Sequence, residues 1–278
     1  MIEKENISMK EFSNMKIGGI AKKLIEIEDE KELINLFKPN ERYYLLGNGT
    51  NTLIYDGYLD IIFVSLKKLN KIKRLDETRV YVEAGVNLTE FMAYMRENDL
   101  GGLENISGIP GCIGGLVNMN AGAYGTTIFD RIEAVKVLKD NEIVTLNKEE
   151  LDYRYRSTKI KDNKWIVIAA IFNLKKGFDV EASEDKLNKR QHNHPLDFPN
   201  LGSTFKNPEG QFAAQLISDC GLKNFRIGDM EVSSKHPNFL INHGKGKFSE
   251  VIELIEHIKK VVYEKKGIQL NTEIIILK

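Results

Sequence analysis

The sequence predicts a mixed fold of helices and strands in two lobes. Three observations support this prediction. The 278 residues are 42% apolar and 29% charged, which is typical of a globular protein with a large core. Short apolar runs typical of strands alternate with segments whose apolar residues repeat at helical spacing. A charged and weakly patterned segment at 175–189 indicates a boundary, so a second lobe is expected to begin near Arg190.

The first lobe is predicted to contain both element types. An apolar stripe at Leu33, Leu36 and Phe37 predicts a helix over 30–37, ended by Pro39. A second helix is predicted after Asn87 or Thr89, through Phe91, Met92 and Met95. Strands are predicted at Tyr43–Leu46, Ile61–Val64, Arg79–Glu83, Ile132–Leu138 and Trp165–Leu174.

The second lobe ends with a helix and a strand. Apolar residues repeat at helical spacing over Ser249–Lys266, between a serine that predicts an N-cap and Gly267, which predicts the C-terminal stop. Leu270–Leu277 then has the pattern of a strand.

Charge and cysteine content exclude several classes of protein. Forty basic and 40 acidic side chains leave no net field to attract nucleic acid or an anionic membrane. The N-terminal segment lacks the pattern of a signal peptide, and no apolar run has the length of a membrane span, so we expect a cytoplasmic protein. Cys112 and Cys220 lie far apart, and the histidines do not form a ligand set, so no metal is expected.

Glycine is concentrated in one region of the chain. Eight of the 22 glycines fall between Gly101 and Gly125, about four times the usual frequency of roughly 7%. Glycine permits positive φ and close backbone approach, so such a cluster indicates a phosphate-binding loop, although tight turns between strands would also explain it. A smaller cluster, Gly47–Asn51, follows the strand Tyr43–Leu46. The P-loop and dinucleotide-binding patterns are both absent.

Motifs along most of the chain resemble those of the UDP-N-acetylenolpyruvoylglucosamine reductase family, in the same order. They are Asn14–Gly19, Leu46–Asn51, Gly108–Gly115, Met119–Gly125, Tyr155–Thr158, Gly202–Pro208, Gly221–Gly228 and the tail acid Glu273. The short interval between Arg156 and Ser203 resembles the shorter subclass, which lacks an inserted substrate-covering element.

The resemblance implies an α+β fold and a flavin cofactor. The expected fold is an FAD-binding region of the vanillyl-alcohol-oxidase-like type at 14–178, with two subdomains that divide near residue 67. A C-terminal α/β substrate lobe at 190–278 follows, and its tail strand 270–277 carries Glu273. FAD is expected to bind non-covalently, through residues of the two glycine clusters: Gly47, Asn48, Gly49, Thr50, Asn51, Gly108, Ile109, Pro110, Gly111, Gly114, Gly115, Asn120, Gly122, Ala123 and Tyr124.

The implied activity is the NADPH-dependent reduction of a UDP-enolpyruvyl sugar to UDP-N-acetylmuramate, in peptidoglycan precursor synthesis, by a monomer. The resemblance assigns catalysis to Arg156, Ser203 and Glu273, and substrate binding to Tyr155, Lys206 and Asn207. Adding hydride to C3 of the enolpyruvyl group builds negative charge near its carboxylate, which a guanidinium stabilises at every working pH. A separate group must protonate C2, and Ser203 is the expected donor. Arg154 belongs to a second Tyr-Arg pair and is the alternative to Arg156.

Two other functions are compatible with glycine-rich loops. A flavin- or nucleotide-binding module without catalysis, such as a degenerate paralogue, would need the loops but not Arg156, Ser203 and Glu273. An oxidase of the vanillyl-alcohol-oxidase type would lack the Gly-Ser-x-Phe-Lys-Asn-Pro motif, which is present at Gly202–Pro208.

Overall fold

A computed structural model describes all 278 residues, Met1–Lys278. Six α-helices are present: α1 (Leu88–Glu97), α2 (Ile113–Asn118), α3 (Lys159–Asp162), α4 (Val180–Asn193), α5 (Ala213–Asp219) and α6 (Phe248–Lys266). Five 3-10 turns occur at Lys10–Phe12, Glu30–Leu33, Glu104–Ile106, Ile128–Asp130 and Lys148–Glu150. The strands are β1 (Ile2–Ser8), β2 (Ile20–Glu26), β3 (Tyr43–Leu46), β4 (Thr52–Ile54), β5 (Tyr58–Ser65), β6 (Ile72–Arg74), β7 (Arg79–Glu83), β8 (Leu100–Gly101), β9 (Gly122–Ala123), β10 (Thr126–Thr127), β11 (Ile132–Lys139), β12 (Glu142–Asn147), β13 (Ile166–Asn173), β14 (Lys175–Lys176), β15 (Arg226–Ile227), β16 (Met230–Val232), β17 (Leu240–Asn242) and β18 (Ile275–Leu277).

The chain forms two compact units that interleave along the sequence. Unit 1 contains Met1–Glu5, Lys23–Asn48 and Ile61–Arg190, whereas unit 2 contains Asn6–Lys22, Gly49–Asp60 and Gln191–Lys278. Each unit has its own cluster of buried apolar side chains. The predicted division into 14–178 and 190–278 treated each domain as one continuous segment and did not include this interleaving. The sequence does not show that Asn6–Lys22 and Gly49–Asp60 pack with the C-terminal region. The assignment of a ligand to each region stays a prediction.

Unit 1 is built around an antiparallel sheet of five strands in the order β12–β11–β13–β7–β6. Helix α2 packs on β13. A second sheet of the chain has the order β1–β2–β5–β3, and its part in unit 1 includes the parallel pairing of β3 with β5, where Tyr43 lies opposite Ile62. Aromatic side chains in the first core contact each other, as Phe91 of α1 and Phe172 of β13 do at 4.7 Å between ring centroids.

Unit 2 packs helices α5 and α6 against short strands. Strands β15, β16 and β17 form an antiparallel sheet, while β4 pairs in parallel with the terminal strand β18. The buried face of α6 carries the predicted helical stripe, including Val251, Ile255, Ile258 and Val262. The fold therefore contains helices with both antiparallel and parallel strand pairs.

Several predicted elements are confirmed. The strands at Tyr43–Leu46 and Arg79–Glu83 have the predicted bounds, and the other three predicted strands of the first lobe are present with small differences at their ends. Helix α1 follows Asn87, whose backbone N–H donates to the Glu90 carboxylate at 3.0 Å. Gly267 ends α6 with a left-handed φ of 69°.

The helix predicted over 30–37 is wrong. Only a 3-10 turn forms at Glu30–Leu33, after which Ile34 is extended and Asn35 has a φ of 63°. The Asn35 backbone N–H donates to the Asn141 side chain at 2.8 Å. A distant residue thus stabilises a conformation that is incompatible with a continuing helix.

The predicted start of helix α6 and the predicted start of the tail strand in unit 2 are also corrected. The N-cap of α6 is Lys247 rather than Ser249, because the Lys247 backbone N–H donates to the Glu250 carboxylate at 3.1 Å. The Phe248 backbone N–H donates to the Asp56 carboxylate at 2.9 Å, which satisfies another free group at the helix start. The tail strand is only β18, so Glu273 lies before the strand rather than on it.

The charged segment at 175–189, where a boundary was predicted, is mostly helix, and unit 1 ends directly after it at Arg190. Helix α4 escaped prediction because it has no apolar stripe, and its two buried residues are Ser183 and Arg190. None of the six helices combines the length and the apolar character that a membrane-spanning helix requires. No group of three or more His, Cys, Asp and Glu side chains is arranged to hold a metal ion.

Candidate functional sites of the two units

The first two residues of the smaller glycine cluster, Gly47 and Asn48, meet the larger cluster in unit 1, although about 60 residues separate them in the sequence. A Cβ added at Gly47 would lie 2.9 Å from the Cys112 Sγ, so the backbone at 47 passes directly over this cysteine. The Asn48 side-chain amide donates to the Asn87 Oδ1, and Asn87 itself forms a backbone bridge with Cys112. Strand β3, the start of α1 and the start of α2 thereby hold the clusters together.

The glycines between 108 and 115 have different structural roles. Gly108 and Gly111 have positive φ values of 77° and 149°, which only glycine adopts readily. Gly114 lies in α2, where an added Cβ would be 2.9 Å from the Cβ of Ala84, and its N–H already donates to the Ala84 carbonyl at 2.9 Å. Gly115 is exposed, and an added Cβ would have only the Cys112 Sγ near it, at 3.9 Å.

Whether Gly114 and Gly115 contact FAD stays a prediction, but their backbone conformation differs from that of Gly108 and Gly111. Gly114 and Gly115 are helical and need no positive φ, and the N–H of Gly114 is not free for a phosphate. Gly114 is required for the close packing of α2 on the end of β7. Gly115 is the glycine with open space beside it, so a ligand has room to approach the backbone there.

The loop after α2 contains strained, polar positions. Asn120 and Tyr124 have positive φ values of 45° and 51°, although neither is glycine. Asn120 is 4% exposed, and its Nδ2 donates to the Arg154 carbonyl at 3.1 Å. Its Oδ1 is buried and has no hydrogen-bond partner in the protein. Because buried polar atoms in folded proteins are nearly always paired, this acceptor indicates a ligand that carries an N–H or O–H donor.

Arg156 lies beside this loop, whereas Arg154 is directed to a different partner. The Arg156 Nη2 donates to the Gly122 carbonyl at 3.0 Å, and its guanidinium lies 5.0 Å from the centroid of the Tyr155 ring. Arg156 also has a left-handed φ of 55°. The exposed Arg154 forms an ion pair with Asp162 at 2.7 Å. The contacts favour Arg156 of the two arginines as the group that serves the glycine-rich loop.

In unit 2, hydrogen bonds connect the segments that contain Ser203, Glu273 and Asn51. The Glu273 N–H donates to the Thr204 carbonyl at 2.8 Å, and the Lys206 N–H donates to the Asn271 carbonyl at 2.9 Å. Ser203 forms a bridge with Phe239. The Asn51 Nδ2 donates to the Glu273 carbonyl at 3.4 Å. The segment that contains Ser203 is therefore linked, directly or through Glu273, to three other parts of the sequence.

The other predicted site residues of this region have mixed environments. The Asn207 Oδ1 accepts a hydrogen bond from the Ala213 N–H at 3.0 Å, so this oxygen stabilises the start of α5. Gly49 has a φ of 64°, and an added Cβ would collide with the Phe12 carbonyl oxygen. Lys206 and Thr50 are partly exposed, and Tyr155 in unit 1 is 54% exposed.

Known proteins similar to this chain match it over its whole length. The family model described as the C-terminal domain of UDP-N-acetylenolpyruvoylglucosamine reductase matches residues 194–277, and an FAD binding domain model matches residues 21–147. The UDP-N-acetylenolpyruvoylglucosamine reductase of Fusobacterium nucleatum is 48% identical over 276 residues, covering 98% of each chain. That of Clostridium novyi is 44% identical and covers 99% of this chain and 92% of its own.

The chain belongs to the UDP-N-acetylenolpyruvoylglucosamine reductase family. The crystal structure of the Thermus caldophilus member agrees with this, with a TM-score of 0.86, 29% identity and complete coverage of both chains. The family confirms the α+β fold and identifies the chain as an FAD-dependent oxidoreductase. The alternative of a binding module without catalysis is set aside.

The residues of unit 1 fit a flavin dinucleotide. The unpaired Asn120 Oδ1 is an acceptor for an N–H or O–H of such a ligand, and the open space at Gly115 gives access to backbone. FAD has both kinds of donor, in its ring system and in its ribityl and ribose hydroxyls. Which atoms of FAD each residue contacts stays a prediction.

Sequence reasoning missed one charged residue near this loop, Arg190 of α4. It is 8% exposed, and its Nε donates to the Ser107 carbonyl at 2.9 Å. Ser107 also contacts Ser183 through the two hydroxyl oxygens at 2.8 Å. The only sequence signal for this buried pair was the seven-residue spacing of Ser183 and Arg190, which places them on one face of a helix. That signal was not used, because polar residues at this spacing ordinarily indicate an exposed face.

Proposed function

We propose that this enzyme reduces UDP-N-acetylglucosamine enolpyruvate to UDP-N-acetylmuramate with NADPH, as a step in peptidoglycan precursor synthesis. The observation that carries the proposal is the 48% identity, over 98% of both chains, with a relative named for this substrate. We also propose a cytoplasmic location, because the nucleotide sugar and NADPH belong to cytoplasmic pools. The monomeric state implied by the resemblance stays a prediction.

The reaction needs a hydride at C3 and a proton at C2 of the enolpyruvyl group. FAD, when bound, supplies the hydride that it has received from NADPH. We assign the remaining requirements to side chains of this chain: one must stabilise the carboxylate charge that grows as hydride arrives, and another must deliver the proton.

Arg156 is proposed to stabilise the developing negative charge. Its planar guanidinium remains protonated at every working pH and can donate two parallel hydrogen bonds to a carboxylate. The bond from Nη2 to the Gly122 carbonyl supports this role, because it holds the guanidinium beside the loop proposed to bind FAD. A guanidinium that is already in position does not have to reorient as the negative charge develops, which lowers the barrier to the reaction.

Ser203 is proposed to donate the proton to C2, and Glu273 to assist at the carboxylate. The Glu273 N–H bond to the Thr204 carbonyl supports their joint action, because it fixes the backbone of the acid one residue from that of the serine. After donating, the Ser203 oxygen regains a proton from solvent, so the product gains one hydride and one proton in all. Tyr155, Lys206 and Asn207 are proposed to bind the substrate, with Lys206 directed to its diphosphate.

The experiment follows the flavin absorbance of the purified enzyme in two separate half-reactions. We expect a yellow protein that NADPH bleaches without oxygen, and whose colour returns when UDP-N-acetylglucosamine enolpyruvate is added. UDP-N-acetylglucosamine, which lacks the enolpyruvyl group, is the matched control and should not restore the colour. A bleached enzyme that the enolpyruvyl sugar fails to reoxidise would contradict the proposed substrate.

A further inference from the structure

The Arg190 side chain in unit 1 is buried but incompletely bonded. It exposes 8% of its surface, which is unusual for arginine. Its Nε donates to the Ser107 carbonyl at 2.9 Å, whereas its Nη2 is buried and has no hydrogen-bond partner. A buried donor on a charged group is among the most unfavourable atoms to leave unpaired, so the guanidinium needs a further acceptor.

Arg190 itself forms no ion pair with an acidic side chain, and other positive groups lie near it. The nearest aromatic partner is the Tyr124 ring, whose centroid lies 5.7 Å from the guanidinium carbon. Lys186 approaches the same ring at 5.4 Å but forms its own ion pair with Asp185. Burial lowers the pKa of Arg190, Tyr124 partly opposes this effect, and the positive charge of Arg156 lowers the pKa further. Arg190 thus holds a buried positive charge that feels a second positive charge, and a bound anion would stabilise such a group.

Backbone contacts fix the position of the Arg190 side chain. A Cβ added at Gly108 would lie 2.9 Å from the Arg190 Cδ, so a side chain at residue 108 would displace the arginine. The Ser107 carbonyl that accepts from Nε immediately precedes Gly108. Helix α4 is held at the same place by the hydroxyl contact between Ser183 and Ser107 at 2.8 Å. Arg190 is thus anchored at the first residue of the loop proposed to bind FAD.

We propose that Arg190 binds the FAD cofactor by donating from Nη2 to an anionic oxygen of the flavin dinucleotide. A cofactor that stays bound balances a permanently buried charge, whereas a substrate that leaves in each cycle does not. The anionic oxygen belongs either to the FAD diphosphate or to the ring system of the reduced flavin. The inference rests on FAD as the cofactor and does not depend on which sugar is reduced.

The test compares Arg190→Gln, Arg190→Lys and Ser183→Ala with the wild-type holoenzyme. Urea unfolding at increasing FAD concentrations gives both the Kd of FAD and, by extrapolation, the stability without added FAD. Removing a hydrogen bond from a charged donor should raise the Kd about 10- to 100-fold in Arg190→Gln. Arg190→Lys should also raise it, because an ammonium group cannot bond Ser107 and the ligand in the same planar geometry. Ser183→Ala, which loosens α4 but keeps the guanidinium, should leave the Kd within about two-fold.

The two sources of the anionic oxygen give different secondary readouts. If Arg190 contacts the reduced ring, its loss makes the flavin midpoint potential more negative. If it contacts the diphosphate, the potential is unchanged and ADP, which lacks the ring, competes with FAD less well in Arg190→Gln than in wild type. Either result supports the proposal.

Three outcomes would overturn the inference. The Kd of FAD could stay within two-fold of wild type in Arg190→Gln, or Ser183→Ala could raise it as much. In the third, the KM for the UDP sugar would rise while the Kd of FAD stays unchanged, which would assign Arg190 to the substrate. None of these affects the proposed function, which fails only if the wild-type flavin is not reoxidised by the enolpyruvyl sugar.

Discussion

Two adjacent glycines of α2, Gly114 and Gly115, should respond in opposite directions to the same substitution. In Gly114→Ala, the new Cβ would lie 2.9 Å from the Ala84 Cβ, well inside the usual carbon–carbon separation of about 3.5–4.0 Å. Ala84 cannot easily move, because it is 2% exposed and its N–H donates to Ile168 of β13 at 2.8 Å. Overpacking of this kind costs about 1–3 kcal/mol, against about 1 kcal/mol gained from replacing a helical glycine. We therefore expect Gly114→Ala to lower the free energy of unfolding.

Gly115→Ala should instead stabilise the protein itself. The nearest atom to its new Cβ is the Cys112 Sγ at 3.9 Å, an ordinary contact, and the backbone is already helical. Lower backbone entropy in the unfolded chain should then raise the free energy of unfolding by about 0.5–1 kcal/mol. If FAD approaches the backbone at Gly115, the same methyl group should raise the Kd of FAD by about 10-fold or more.

Urea unfolding with a series of FAD concentrations measures both quantities for each variant. The two glycines are each other's control, because they differ in position by one residue and receive the same side chain. Wild-type stability of Gly114→Ala would refute the packing argument. An unchanged Kd of FAD in Gly115→Ala would show that the cofactor does not reach this glycine.

Three further predictions concern the proposed chemistry and one partly buried histidine, His236. Arg156→Lys should slow flavin reoxidation by the UDP sugar about 10²- to 10³-fold, while flavin reduction by NADPH stays near the wild-type rate. Arg154→Gln should leave both rates within about two-fold, as stopped-flow absorbance can measure. If reoxidation is slowed by Arg154→Gln and not by Arg156→Lys, the role belongs to Arg154. Ser203→Ala should bleach normally with NADPH but reoxidise about 10²- to 10⁴-fold more slowly, and a wild-type reoxidation rate would exclude Ser203 as the proton donor. Burial lowers the pKa of His236, so the unfolded chain takes up a proton first as pH falls through about 6.5, and stability should decline there. Urea titrations between pH 5.5 and 7.5 should show a flatter profile for His236→Gln, and parallel profiles would contradict this.

Local sequence was sufficient where neighbours along the chain supply the energy. The strand Arg79–Glu83 alternates polar and apolar residues, and Asn87 caps the start of helix α1 because Glu90 lies within reach of its backbone. At 30–37 the same reasoning failed, because the Asn141 side chain holds the backbone N–H of Asn35 from more than 100 residues away. Propensity decides an element only when no distant partner offers its backbone a better bond.

The sequence by itself determined the family and the cofactor, because motifs in a fixed order identify both without any contact being known. It also indicated which residue types carry the chemistry at Arg156, Ser203 and Glu273.

Only the tertiary structure decided how those residues are held. It placed Gly47 over Cys112, separated the packing role of Gly114 from the open position of Gly115, and joined Glu273 to Thr204. It also buried Arg190, in a helix whose sequence reads as fully exposed. Each of these depends on atoms from distant segments, and burial and hydrogen bonding between such segments leave no local pattern for a sequence to display.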